Sequence, residues 1–123
     1  MRTLGEFYRE KVLSAQRLKS VTLPEPQGEL RIDRSLFGWV LLVDGKTVPC
    51  RSNEEARYLR VFCEAGLTEV SVPADDEHLK AILPELENLK SRTDGIVESY
   101  LESILDRKLR ERLRHEVYAE LLK

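Results

Sequence analysis

Between Asp75 and Lys123 the chain reads as helix almost throughout, and ten apolar residues of this stretch fall on a single face. Leu79, Ile82, Leu83, Leu86, Leu89, Ile96, Val97, Tyr100, Leu101 and Ile104 recur at helical spacing over about seven turns. Leu79, Leu86, Thr93 and Tyr100 stand seven apart, as do Ile82, Leu89 and Ile96, which gives about three heptads of a coiled-coil-like seam. Withdrawing one Leu or Ile from water is worth about 1.5–3 kcal/mol, so a stripe of this length has to find cover. A small sheet of short strands offers too little. The stripe therefore predicts association, with a homodimer or another protein covering Leu86, Leu89, Ile96, Val97, Tyr100 and Ile104. Pro84 and Thr93-Asp94-Gly95 mark two places where the helical region is expected to break.

The first 74 residues carry a different pattern. Leu4, Phe7, Tyr8, Val12, Ala15 and Leu18 share one helical arc, and Thr3 with Glu6 has capping-box spacing, so a helix is expected over 3–19. Pro24 and Pro26 interrupt regular structure before Gly28. Glu29–Arg34 alternates apolar and charged residues, as a strand with one wet face does. Leu36–Val43 is apolar on both sides, the pattern of a central strand covered on each face. Asp44-Gly45 signals a tight hairpin, and Lys46–Cys50 returns along an edge that suits Pro49. Ser52 or Asn53 caps a helix with a wide apolar surface that ends at Gly66, and Thr68–Val72 alternates as a fourth strand. A right-handed crossover would lay that strand parallel to the third.

The formal net charge of −2 hides segregation. Residues 1–20 carry +3, residues 105–123 carry +2, and the stretch between them carries −7. Arg107, Arg110, Arg112 and Arg114 concentrate the C-terminal charge, and as a helix they form a candidate phosphate-tracking surface. The competing reading is a solvated amphipathic helix whose arginines pair with nearby glutamates. Cys50 and Cys63 lie thirteen apart without Cys-x-x-Cys spacing, which argues for two buried thiols and against structural zinc. His78 beside Asp75, Asp76 and Glu77 could hold a hard cation, but acids at a helix start ordinarily complement the dipole. No cofactor or metal is expected. Nothing reads as a membrane span or as a signal peptide, so a cytoplasmic location is expected.

Phosphate-loop, zincin, nucleophile-elbow and dinucleotide motifs are all missing from the sequence. The expected order of helix, three-strand meander, helix and strand over residues 3–72 is similar to the core of the PD-(D/E)xK nuclease superfamily. That resemblance implies a divalent ion held by Asp33 and Asp44, with Lys46 beside it and Glu6 or Glu10 as the helical acid. It departs from the family in placing Asp44 and Lys46 at a tight turn instead of within a strand. An Asp-Gly hairpin accounts for both residues without catalysis.

The expectation is an α+β fold: an N-terminal helix, a small four-stranded mixed sheet over residues 1–74, and a helical region over 75–123 that packs on it or extends from it. The expected function is a non-enzymatic interaction module acting through its C-terminal helices. Nucleic-acid binding through the basic helix and a metal-dependent nuclease are the alternatives.

Overall fold

The computed structural model describes residues 2–123. Thr3 Oγ1 accepts the Glu6 N–H at 3.1 Å and starts α1, Leu4–Phe7. The helix continues as a π turn, Tyr8–Val12, in which the Leu13 N–H reaches back to the Tyr8 carbonyl. There it stops, short of residue 19, and Leu18–Thr22 forms strand β1. Leu4, Phe7 and Val12 are fully buried, whereas Leu18, placed on the same arc by the sequence pattern, is exposed. With no core under its second half, the segment gains more by strand pairing than by extending the helix.

That extra strand changes the sheet. β1 pairs antiparallel with β5, Glu69–Pro73, setting Leu18 opposite Pro73 and Thr22 opposite Glu69. β2 (Leu30–Ser35), β3 (Gly38–Val43) and β4 (Lys46–Cys50) form a separate antiparallel meander with β3 in the middle. The fold is thus α+β, but with two antiparallel sheets in place of one mixed four-stranded sheet. No parallel crossover is made. Pro49 weakens the outer edge of β4 as a template, while β1 offers β5 an open one. The Asp44-Gly45 turn has φ of 51° and 84°, both positive as a type I′ hairpin requires.

Leu41, Val43, Val48 and Cys50 of the meander are buried toward α2, Asn53–Glu64. Val40 and Leu42 point the other way and are only half-buried, so the central strand is covered on one face and not on two. Ser52 Oγ caps α2 by accepting the Glu55 N–H at 3.1 Å. Tyr58, Leu59, Phe62 and Cys63 of this helix are completely buried, and the Tyr8 and Tyr58 rings each lie 5.1 Å from the Phe62 ring. Ser20 and Ser71 face each other at a pair that exchanges no ladder bonds, so the Ser71 peptide groups point away from β1. Tyr8 Oη accepts the Ser71 N–H and Tyr58 Oη donates to the Ser71 carbonyl, both at 2.7 Å. Two phenols stand where a third strand would have been.

α3 runs unbroken over Asp76–Leu101, through Pro84 and across Thr93-Asp94-Gly95, where the sequence suggests a stop. Asp94 does not cap a new helix because its carboxylate is held by Lys90 Nζ at 2.8 Å and by the Tyr118 hydroxyl. After a short connector, Asp106 caps α4, Arg107–Leu121. The pairs Asp94–Tyr118 and Glu98–Arg114 show that α4 folds back antiparallel along α3. Gly5 of α1 closes the arrangement, since a Cβ there would sit 2.6 Å from the Leu122 carbonyl oxygen.

The fold shelters most of the C-terminal stripe. Leu79, Ile82, Leu83, Leu86, Leu89, Val97 and Leu101 are buried within the single chain, and Ile104 is half-buried. α1, α2, β5 and α4 all pack against α3. The premise that the chain cannot cover this stripe therefore holds for Ile96 and Tyr100 only, at 54% and 65% exposure.

Candidate functional site

The two exposed residues border a groove between α3 and α4. Thr93, Ile96, Val97 and Tyr100 line it from α3, and Val117 and Leu121 line it from α4. It holds about 290 Å3, and its accessible lining is apolar. Helical spacing explains the arrangement. Residues 93, 96, 97 and 100 lie on one side of α3, while Lys90, Asp94 and Glu98 lie on the side that meets α4 through polar contacts.

Polar contacts join the two helices and leave the apolar strip beside them open. Lys90 Nζ reaches Asp94 at 2.8 Å and Glu64 at 3.5 Å, and lies over the Tyr118 ring at 5.5 Å. Burial, followed by the Asp94 hydrogen bond, pushes the Tyr118 hydroxyl well above its ordinary range. Arg114 binds Glu98 at 2.8 Å and also pairs with Glu111. Its hydrogen bond holds the Glu98 carboxyl below the usual carboxylate range. Thr93 Oγ1, beside the strip, is the one buried side-chain polar atom without a hydrogen-bond partner among the described residues. Leaving such a group unpaired costs about 1–3 kcal/mol.

Of the six interface residues expected from the sequence, the structure brings Ile96, Val97 and Tyr100 to this groove. Leu86 and Leu89 are buried elsewhere in the chain's own core, and Ile104 is half-buried in the connector. Val97 is itself 3% exposed and forms part of the floor. Three further residues line the groove: Thr93, which the sequence places in the heptad seam, and Val117 and Leu121, which the sequence places with Leu109 and Leu113 in a row at four-residue spacing.

The basic helix is divided. Arg110 donates to the Ile104 carbonyl and Arg114 is held by two glutamates, so both serve the α3–α4 connection. Arg107 and Arg112 are exposed.

The nuclease constellation does not converge. Asp33 lies opposite Val40 on β2, three register steps from the Leu30–Val43 end where Asp44 begins the turn. Asp44 itself is a fourth step along, so at about 3.4 Å per residue the two backbone positions stand about 14 Å apart along the strands. Asp44 accepts the Gln27 N–H at 2.6 Å, and Lys46 sits exposed beyond the turn. No cluster of three or more His, Cys, Asp or Glu side chains suited to a metal ion occurs among the described residues. His78 Nε2 lies 2.7 Å from the Lys11 carbonyl; a carbonyl only accepts, so that nitrogen carries the proton. Asp75 caps α3, and Asp76 pairs with Arg51 at 2.6 Å. Cys50 and Cys63 are free, buried thiols, each pushed up to about 11 chiefly by burial.

A second exposed apolar feature lies at the β2–β3 turn. Leu36 and Phe37, expected within the central strand, instead form the two-residue turn between β2 and β3 and are 98% and 99% exposed. Gly38, at φ 126°, is the signal that the strand begins only there. No helix among the described residues is long and apolar enough to cross a membrane. No family model matches the chain, and neither a curated protein nor a solved structure matches it.

Proposed function

We propose that this protein is a non-enzymatic interaction module that self-associates through the groove between α3 and α4. The observation that carries the reading is the exposure of Ile96 and Tyr100 beside a strip with an apolar lining. Large apolar side chains grouped at a concave site mark an interaction surface more strongly than the same residues scattered singly. The size of the groove supports a protein occupant over a small molecule. At about 290 Å3 it falls at the lower bound of ligand pockets, about 300–1,000 Å3, and it offers no charged group to orient a metabolite.

Tyr100 is the expected anchor, since tyrosine gives a large, stiff apolar surface with a polar tip. Light scattering of the wild-type protein and of Tyr100→Asp over a concentration series tests the proposal. Mass rising with concentration for the wild type and staying at one chain for the variant supports it. A wild type that remains a single chain at every concentration refutes it.

A further inference from the structure

The Leu36–Phe37 turn is the most exposed apolar feature of the molecule. Two-residue hairpin turns ordinarily carry Asn, Asp or Gly, and here they carry two large side chains almost entirely in solvent. The turn is braced. Ser35 Oγ accepts the Phe37 N–H at 3.2 Å and donates to the Gly38 carbonyl at 3.1 Å, so the apex is held in one shape. Behind it the Arg34 guanidinium lies over the Trp39 ring at 5.5 Å, which stiffens the hairpin further. The result is a fixed, convex apolar knob.

Resting on the self-association reading, we infer that the occupant of the α3–α4 groove is the Leu36–Phe37 turn of a second copy of this chain. Knob and groove are complementary in shape and chemistry: one is convex, the other concave, and each presents apolar surface. On the α4 side of the groove the charges match as well. Arg34, next to the knob, and Glu116, one residue from Val117 on α4, have no ion-pair partner among the described residues. Glu120, one turn on, adds a second acid whose only pair is the exposed Lys123.

This contact joins two different patches, so it is heterologous. It builds open chains, or rings where the rotation closes, instead of a symmetric groove-to-groove dimer. Two side chains bury far less than the roughly 1,200–2,000 Å2 of a stable interface, so the association is weak and reversible.

Mixing two variants tests the inference. Phe37→Asp removes the knob and Tyr100→Asp spoils the groove; both positions are exposed, and unchanged melting curves verify that each variant folds. Each alone is expected to stay monomeric, with self-affinity reduced at least about tenfold. Mixed, they are expected to form a 1:1 heterodimer and nothing larger, because the intact groove of one accepts the intact knob of the other. If Phe37→Asp associates as well as the wild type while Tyr100→Asp does not, the knob is refuted and groove-mediated association stands. If the wild type itself never associates, both fall. Sedimentation of wild type and Tyr100→Asp, but not Phe37→Asp, with anionic phospholipid vesicles would assign the knob to a lipid surface and overturn the inference.

Discussion

The space between α2 and the two sheets and the outer side of the α3–α4 pair are built from similar residues, yet they end differently. In the first, Tyr58, Leu59, Phe62, Leu41 and Val72 are all completely buried, and even the carboxylate of Glu55 is enclosed. Lys19 Nζ and Arg51 Nε meet that carboxylate at 2.9 and 3.1 Å, so its charge is answered from β1 and from the residue after β4. In the second, polar pairs clamp the helices along one side and leave Ile96 and Tyr100 uncovered on the other. The lesson is one of division: the first region makes the fold, and the second leaves apolar surface open on it.

Substitutions should separate the two regions by the size and kind of their effects. Phe62→Ala, which empties a site touched by two tyrosine rings, is expected to lower stability by about 3–5 kcal/mol in urea unfolding. Glu55→Ala, which takes the shared carboxylate from Lys19 and Arg51 and empties its buried site, is expected to cost about 1–3 kcal/mol. A loss below about 1 kcal/mol for either would break the comparison, because surface positions behave that way.

Gly5→Ala should come next. The new methyl would meet the backbone of Leu122 and Lys123 at 2.6–2.9 Å, and relieving that clash is expected to cost about 1–3 kcal/mol. Tm from calorimetry reads it directly. Unchanged melting would mean that the end of α4 is not seated on α1. Arg114→Gln breaks pairs to two half-exposed glutamates and is expected to cost less than about 1 kcal/mol, an effect that shrinks at high salt.

The smallest effect at neutral pH belongs to the thiols, both in the first region. Their folded values near 11 lie above the ordinary 9.0, so the folded state keeps protons that the unfolded state has released. Stability should therefore be unaffected below about pH 9 and should fall as pH rises from about 9 to about 11. Cys63→Ala should flatten part of that slope. A wild-type slope of the opposite sign would show that the thiols are not buried.

Much of the first region was legible in the sequence. The caps at Thr3 and Ser52, the Asp44-Gly45 hairpin and the apolar face of α2 follow from local chemistry, and the structure has them all. β1 was not legible, because four of its five residues are exposed and it is held by main-chain pairing to β5, fifty residues away in sequence. A strand that buries so little of its side chains writes no alternation into the sequence. The same limit applies to the groove. The heptad pattern located the stripe, but which members stay uncovered depends on where α4 lands. Tyr118 and Arg114 set that position through Asp94 and Glu98, across gaps of 24 and 16 residues. The Leu36–Phe37 knob was hidden for another reason: apolar residues in a turn are indistinguishable by pattern from those of the strand that follows.

The most direct test compares the solution mass of the wild-type chain and Tyr100→Asp by light scattering, from about 5 to about 500 μM. The account predicts that the wild type grows beyond one chain as concentration rises, while the variant keeps its melting temperature and stays at 14.2 kDa. A wild type fixed at 14.2 kDa across the whole range would contradict it.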